Sequence, residues 1–173
     1  MRQIYLDVTR LVDRAVQGLL PTGVDRVSLA YVRHYGLWAK AVLSEKGVCA
    51  VLSASRSRHL FDMLLCEPGS CSKRALQWQV VAAVLETLWT AKPPGVLLHT
   101  AHSGTEYEFY YRSLARHDIK VVALIHDLIP LTHTEYCRPG VLPTQTHRIK
   151  TAMARSAGII ANSADTANSI KTM

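Results

Sequence analysis

Three short, nearly continuous apolar runs, Val96 to Leu98, Val121 to Ile125 and Gly158 to Ala161, each give way to polar or turn residues. Unbroken apolar runs of strand length mark strands buried on both faces of a parallel sheet. Ile4 to Val8, Trp38 to Leu43 and Val48 to Leu52 read as three further strands. Helical patterns lie between them. Val24, Val27, Tyr31 and Tyr35 recur at spacings of three and four and so share one face. Leu76, Val80, Val84 and Leu88 form a second stripe, and Leu142, Ile149 and Met153 a third, with Arg148, Lys150 and Arg155 off its apolar side. The clearest loops are Glu67 to Lys73 and Lys92 to Gly95. Strands alternating with helices long enough for crossovers predict an α/β fold: one Rossmann-like domain over residues 1–173, a parallel sheet with helices on both faces.

Composition narrows the class. The chain has 173 residues, 49% of them hydrophobic, enough for a core, and no run approaches the ~18 uncharged apolar residues of a membrane span. Lys and Arg number 20 against 13 Asp and Glu, a formal +7, but they are scattered among apolar residues rather than massed. The sign could serve nucleic acid, phosphorylated ligands or an anionic membrane face, and charge alone does not choose among them; the expectation is no nucleic-acid partner. Cys49, Cys66, Cys71 and Cys137 form no C-x-x-C pair and read as reduced, structural thiols. The amino end, MRQIYLDVTR, lacks the apolar stretch of a secretory signal, so a cytoplasmic location is expected. The helix opening at Ser163 stops at Met173 without a cap or following strand, and the expectation is an interrupted chain.

In a parallel α/β sheet, ligands bind beyond the carboxyl ends of the strands. Gly23 stands where a helix begins, and helix amino ends present unpaired N–H groups and a positive dipole end. Thr22 and Gly23 are thus an anion site, with Arg26 one turn in as a supplement, or an ordinary cap and turn with a solvated arginine. The run Val121 to Ile125 ends in His126-Asp127, followed by a rigidifying Pro130. An imidazole there can hydrogen-bond a sugar hydroxyl or phosphate oxygen, with Asp127 steadying it or capping the loop. His102, Ser103, Gly104 and Thr105 follow another strand and offer polar groups at the same edge, or make a plain turn. Ser163 reads as an N-cap placed at that edge. Asp7 and Arg10 line the cleft or pair with each other, and Glu106, Glu108 and Glu135 are the nearby carboxylates available as a base.

Other chemistries fit less well. The histidines His99, His102, His126 and His133 with Asp127 are poorly spaced for a metal, because positions three apart across a strand end point to opposite faces. No G-x-G-x-x-G, P-loop or G-x-S-x-G motif is present.

Three segments, L-P-T-G-V-D-R-V at Leu20 to Val27, V-V-A-L-I-H-D-L-I-P-L at Val121 to Leu131 and A-G-I-I-A-N-S-A-D-T at Ala157 to Thr166, carry a resemblance. In order and spacing the chain resembles the N-terminal half of retaining glycosyltransferases of family 4, and E-Y-C-R-P-G at Glu135 to Gly140 is similar to that family's E-Y-F-x-P loop. The resemblance implies a GT-B architecture of two Rossmann-like halves with the active site between them. It implies that the N-terminal half receives a saccharide or lipid-linked acceptor, in surface polysaccharide biosynthesis, near an anionic membrane face. It also implies a nucleotide-sugar donor, no cofactor and no metal. By it, the glycine matching Gly23 faces the donor phosphates and the histidine matching His126 contacts the transferred sugar. His126 and Asp127 are then the expected catalytic residues, and Thr22, Gly23, Arg26, His102, Ser103 and Ser163 the expected substrate contacts. The chain departs from the family in lacking the donor half and its E-x7-E motif, so the expectation is little or no activity alone. The competing expectations are a non-catalytic nucleotide- or glycan-binding subunit acting with a separate catalytic chain, and a metal-dependent hydrolase.

Overall fold

The computed structural model describes residues 2–66, 72–87, 89–132, 135 and 142–172. The expected loop at residues 67–71, Cys71, Leu88, His133, Cys137 and the motif from residue 136 onward lie outside the described residues. All six expected strands form: β1 (Gln3–Asp7), β2 (Lys40–Glu45), β3 (Val48–Val51), β4 (Gly95–His99), β5 (Ile119–Ile125) and β6 (Gly158–Ala161). The helices are α1 (Thr9–Gln17), α2 (Gly23–Tyr35), α3 (Ala54–Leu65), α4 (Lys73–Glu86), α5 (Glu108–Ala115), the short α6 (Ile129–Thr132), α7 (Leu142–Arg155) and α8 (Ala164–Lys171). They build one sheet in the order β3-β2-β1-β4-β5-β6, a Rossmann-like α/β fold.

The sheet is parallel except at one edge. β3 runs antiparallel to β2, with Glu45 opposite Val48 across a two-residue turn, and so departs from the all-parallel expectation. Lys46 (φ 47°) and Gly47 (φ 85°) both take positive φ, the backbone twist of a tight hairpin, so no crossover helix is needed here. Glycine is required at the second position for a further reason: a Cβ there would stand 2.7 Å from the Cβ of Tyr107. Gly95 is required where β4 meets β1, since a Cβ would lie 2.1 Å from the Gln3 carbonyl oxygen.

Alternate residues of each strand enter opposite layers. Leu6, Ala41 and Leu43 pack in a core with Leu11, Val32, Leu60 and Leu76 from α1 to α4. Tyr5, Val42, Leu97 and Val121 face the other way, onto Tyr110, Tyr111 and Leu114 of α5. Ile125 continues that layer onto Ile149 of α7. Such a two-sided core explains why the strands read as unbroken apolar runs.

From β1 the chain winds outward to β2 and β3, then returns past β1 to β4 and proceeds to β5 and β6. The order therefore reverses between β1 and β4, and the crevice opens there, at their carboxyl ends.

Candidate functional site

The loop leaving β4 folds back on its own last residue. His99 is buried, its Nδ1 accepting from the backbone N–H groups of Ala101 (3.4 Å) and His102 (3.3 Å) while Nε2 donates to the Ser103 carbonyl (3.0 Å). Two donors on Nδ1 place the ring proton on Nε2. This wrap holds His102 at φ 62°, in the left-handed region. The His102 ring then lies against the end of β5, with Nε2 on the Leu124 carbonyl, and burial pushes its pKa down to about 4.

His126 stands beside it, the two rings edge to face with centroids 5.7 Å apart. Its Nε2 bonds the Thr100 carbonyl at 2.8 Å, so in the neutral form Nε2 carries the proton and Nδ1 is left as an acceptor. Of the two roles the sequence allowed Asp127, steadying this ring or capping the loop, the structure shows the second. Its carboxylate accepts from the Ile129 N–H at 3.1 Å, a local turn that caps the loop, and the backbone of Thr100 holds the histidine instead.

Thr100 also ties in the neighbouring helix. Its hydroxyl lies 2.7 Å from Ser28 Oγ of α2, a buried pair. On the other side of His126, Thr166 of α8 reaches the His126 carbonyl at 3.5 Å. Ser163 caps α8, accepting from the Thr166 N–H at 3.1 Å. One hydrogen-bonded chain thus runs from Ser28 through Thr100, His126 and Thr166 to Ser163, and brings α2, β4, β5 and α8 to a common rim.

The amino end of α2 is braced separately. Asp25 is buried, its carboxylate accepting from the Thr22 N–H and hydroxyl, both at 2.7 Å, and from Arg10 Nε at 2.8 Å. Arg14 Nε stands 2.8 Å away as a second cation. Burial raises the Asp25 pKa, but the hydrogen bonds from Thr22 and Arg10 outweigh it and hold the carboxyl below its usual range. Arg10 therefore pairs with Asp25 rather than with Asp7, correcting one of the two sequence alternatives. These cations also offset the negative charge that Asp25 would otherwise present at the helix start, where an anion would sit.

Gly23 and Arg26 are exposed on that first turn. A Cβ added at Gly23 meets nothing within 4 Å, so the fold does not require glycine there and leaves open space before the first amides. Ser103 is half-buried in the wrap around His99.

Deeper in the crevice Asp7, which the sequence reading placed at the cleft, meets a tyrosine that it did not single out. Asp7 ends β1 buried, accepting from Tyr110 Oη at 2.7 Å and the Thr9 N–H at 3.0 Å, with His99 Nε2 at 3.7 Å. Burial and the Asp7 charge push the Tyr110 phenol well above its usual range, so it serves as a donor rather than a base. The sequence held a cue for Asp25, an acidic residue three after Thr22, but none for Tyr110, 103 residues from Asp7.

The carboxylates considered as bases are mostly committed elsewhere. Arg148 grips Glu106 in a two-point pair (2.9 and 2.8 Å), and Arg155 and Arg112 flank Glu108. Hydrogen bonds from these arginines, against the opposing effect of burial, lower both carboxyl pKa values. Glu135 is exposed. A groove of about 470 Å³ lined by Tyr111, Arg112, Ile119, Lys120 and Arg155 opens at the amino end of β5, the opposite end from His126. Among the described residues no group of three or more His, Cys, Asp or Glu is arranged to hold a metal ion, and no helix is long and apolar enough to cross a membrane. Comparison with protein-family models, with curated proteins and with solved structures returned no match.

Proposed function

We propose that the chain is the acceptor-side half of a retaining, family 4-like glycosyltransferase, which moves a sugar from a nucleotide-sugar donor to a saccharide or lipid-linked acceptor. The observation that carries this reading is the rim itself: α2, which opens within the first resembling segment, is tied through Ser28 and Thr100 to His126, Thr166 and Ser163 of the other two at the carboxyl edge of the sheet.

In this reading each group has a task the geometry allows. The first amides of α2, reached over the open Gly23, offset negative charge on the donor diphosphate, and Arg26 adds a cation. His126, its Nε2 proton committed to Thr100, accepts a hydrogen bond at Nδ1 from a sugar hydroxyl. Asp127 shapes the loop rather than the ring. Charge stabilisation of the leaving group is a large share of such catalysis.

Titrating the ¹⁵N-labelled chain with a panel of nucleoside diphosphate sugars tests the reading. The expected result is weak binding, with Kd around 1 mM, and amide shifts at Gly23, His126 and Ser163 together. No shift at any of the three with every donor and with saccharide acceptors would overturn it.

A further inference from the structure

His99 and His102, weighed above as metal ligands, are joined instead through the backbone between them. His99 is buried, and its Nδ1 accepts from the N–H groups of both Ala101 and His102. The first of these belongs to the Thr100–Ala101 peptide. The described peptide bonds are all trans, and in a trans peptide the N–H and C=O point in opposite directions. An Ala101 N–H aimed at His99 therefore aims the Thr100 carbonyl away from it, and that carbonyl is the one that receives His126 Nε2 at 2.8 Å. Strand pairing does not set its direction, since the β4–β5 ladder ends at His99 and Ala123. Nor does the Thr100 side chain. Ser28 Oγ donates to the Val24 carbonyl at 3.2 Å, so Thr100 Oγ1 donates to Ser28, a bond that holds the side chain and leaves the carbonyl free to turn about ψ. The second donor, the His102 N–H, fixes where the His102 ring lies, edge to face with His126. Two neighbours of the His126 ring are thus set from one nitrogen.

We propose that His99 is a positioning residue of the rim, an Nε2–H histidine that seats His126 through the Thr100–Ala101 peptide. Two contacts hold its tautomer. Nε2 donates to the Ser103 carbonyl at 3.0 Å, and the Asp7 carboxylate, itself held by Tyr110 Oη, stands 3.7 Å from the same nitrogen. In an imidazole the hydrogen bond at one nitrogen decides which nitrogen carries the proton, so this edge leaves Nδ1 bare for the two backbone donors. Bonds of 3.3 and 3.4 Å to a shared acceptor are individually weak, but losing them would leave two part-buried N–H groups without partners. A consequence for ligand choice follows. Seated on a carbonyl, His126 in its neutral form keeps Nδ1 as an acceptor, which matches a hydroxyl and not an ionised phosphate oxygen, the two ligands that the H-D pair by itself left open. That consequence rests on the sugar contact proposed above; the seating of the ring does not.

Histidine-ring ¹⁵N correlation spectra of the unliganded chain test the proposal. In the unaltered chain His99 and His126 are both expected as Nε2–H tautomers whose ring protons exchange slowly with water. His99→Asn keeps an acceptor on Cγ, where Nδ1 stood, and should retain the protected His126 proton. His99→Gln carries its amide out to the reach of Nε2, leaves no acceptor on Cγ, and should speed exchange of that proton at least about 10-fold. A ring that only filled space under the loop would make the two variants alike, and circular dichroism establishes that each variant compared is folded. His99 found with its proton on Nδ1, a folded glutamine variant that keeps the protected proton, or a folded asparagine variant that loses it would each overturn the proposal, and the first of these needs no variant to fold. No nucleotide or saccharide is present in these measurements, so a chain that binds no nucleotide sugar fails the transfer reading alone.

Discussion

His126 Nε2 lies 2.8 Å from the carbonyl oxygen of Thr100, and this bond, not the adjacent Asp127, fixes the ring. In its neutral form the histidine is therefore expected as the Nε2–H tautomer, which long-range ¹H–¹⁵N correlation of the ring reads directly. The ring is half-buried and the Thr100 carbonyl can turn to water when it is removed, so His126→Ala should cost only about 1 kcal/mol of stability. The same change should abolish the donor-induced shifts at Gly23 and Ser163 if the sugar-contact role is right. Asp127→Asn, which keeps an oxygen for the Ile129 N–H, should leave the tautomer unchanged.

Asp25 offers a test of how the start of α2 is built. Its carboxylate is buried against two arginines, so Asp25→Ala leaves two cations facing an unpaired helix start and should cost about 3 kcal/mol. Urea unfolding at pH 7 measures it. The folded pKa lies below the unfolded value of about 3.9, so this contribution is fully present above that pH and lost as pH falls through the folded value. The gap between the unaltered chain and Asp25→Ala should accordingly narrow only at pH below about 4.

Gly47 sits at φ 85° with the Tyr107 Cβ 2.7 Å from where a side chain would begin. Gly47→Ala should destabilise by about 2 kcal/mol or more, combining a left-handed penalty with a clash against the Tyr107 side chain, whereas Lys46→Gly should be neutral or mildly stabilising in the turn. Thermal melts of the two variants distinguish a turn-geometry effect from a general intolerance of the hairpin.

The strands were legible because burial on both faces writes itself as uninterrupted apolar sequence, as in Val121 to Ile125. The direction of β3 was not, because it rests on a two-residue Lys46-Gly47 turn that lacks the Asn-Gly or Asp-Gly form common in hairpins. The apolar spacing of α2 marked Val24 and Val27, yet Asp25 and Ser28 are more deeply buried. Tertiary hydrogen bonds to Arg10 and Thr100 turn the helix toward its polar residues, and no periodicity of hydrophobic positions encodes that. The positions of His126 and Ser163 at strand ends followed from the strands themselves. The partners that hold them, the Thr100 carbonyl above all, are backbone groups and leave no mark in the sequence.

His102 links the rim to pH. Its ring is largely buried, with Nε2 on the Leu124 carbonyl and with His99 and His126 as neighbours, and burial is the main cause of a pKa pushed down to about 4. An unfolded histidine titrates near 6.5, so the unfolded state gains its proton first as the solution is acidified. The penalty is absent above about pH 6.5, grows as pH falls and levels off below about 4; a gap of some 2.5 units corresponds to about 3 kcal/mol. The unaltered chain should therefore lose about this much stability between pH 7 and pH 4, before the Asp25 contribution is affected. His102→Asn removes the titrating ring, and asparagine tolerates the left-handed backbone at φ 62° better than most residues. Urea midpoints followed from pH 7 to 4.5 should decline steeply for the unaltered chain and much less for the variant, and parallel curves would show that the acid sensitivity originates elsewhere.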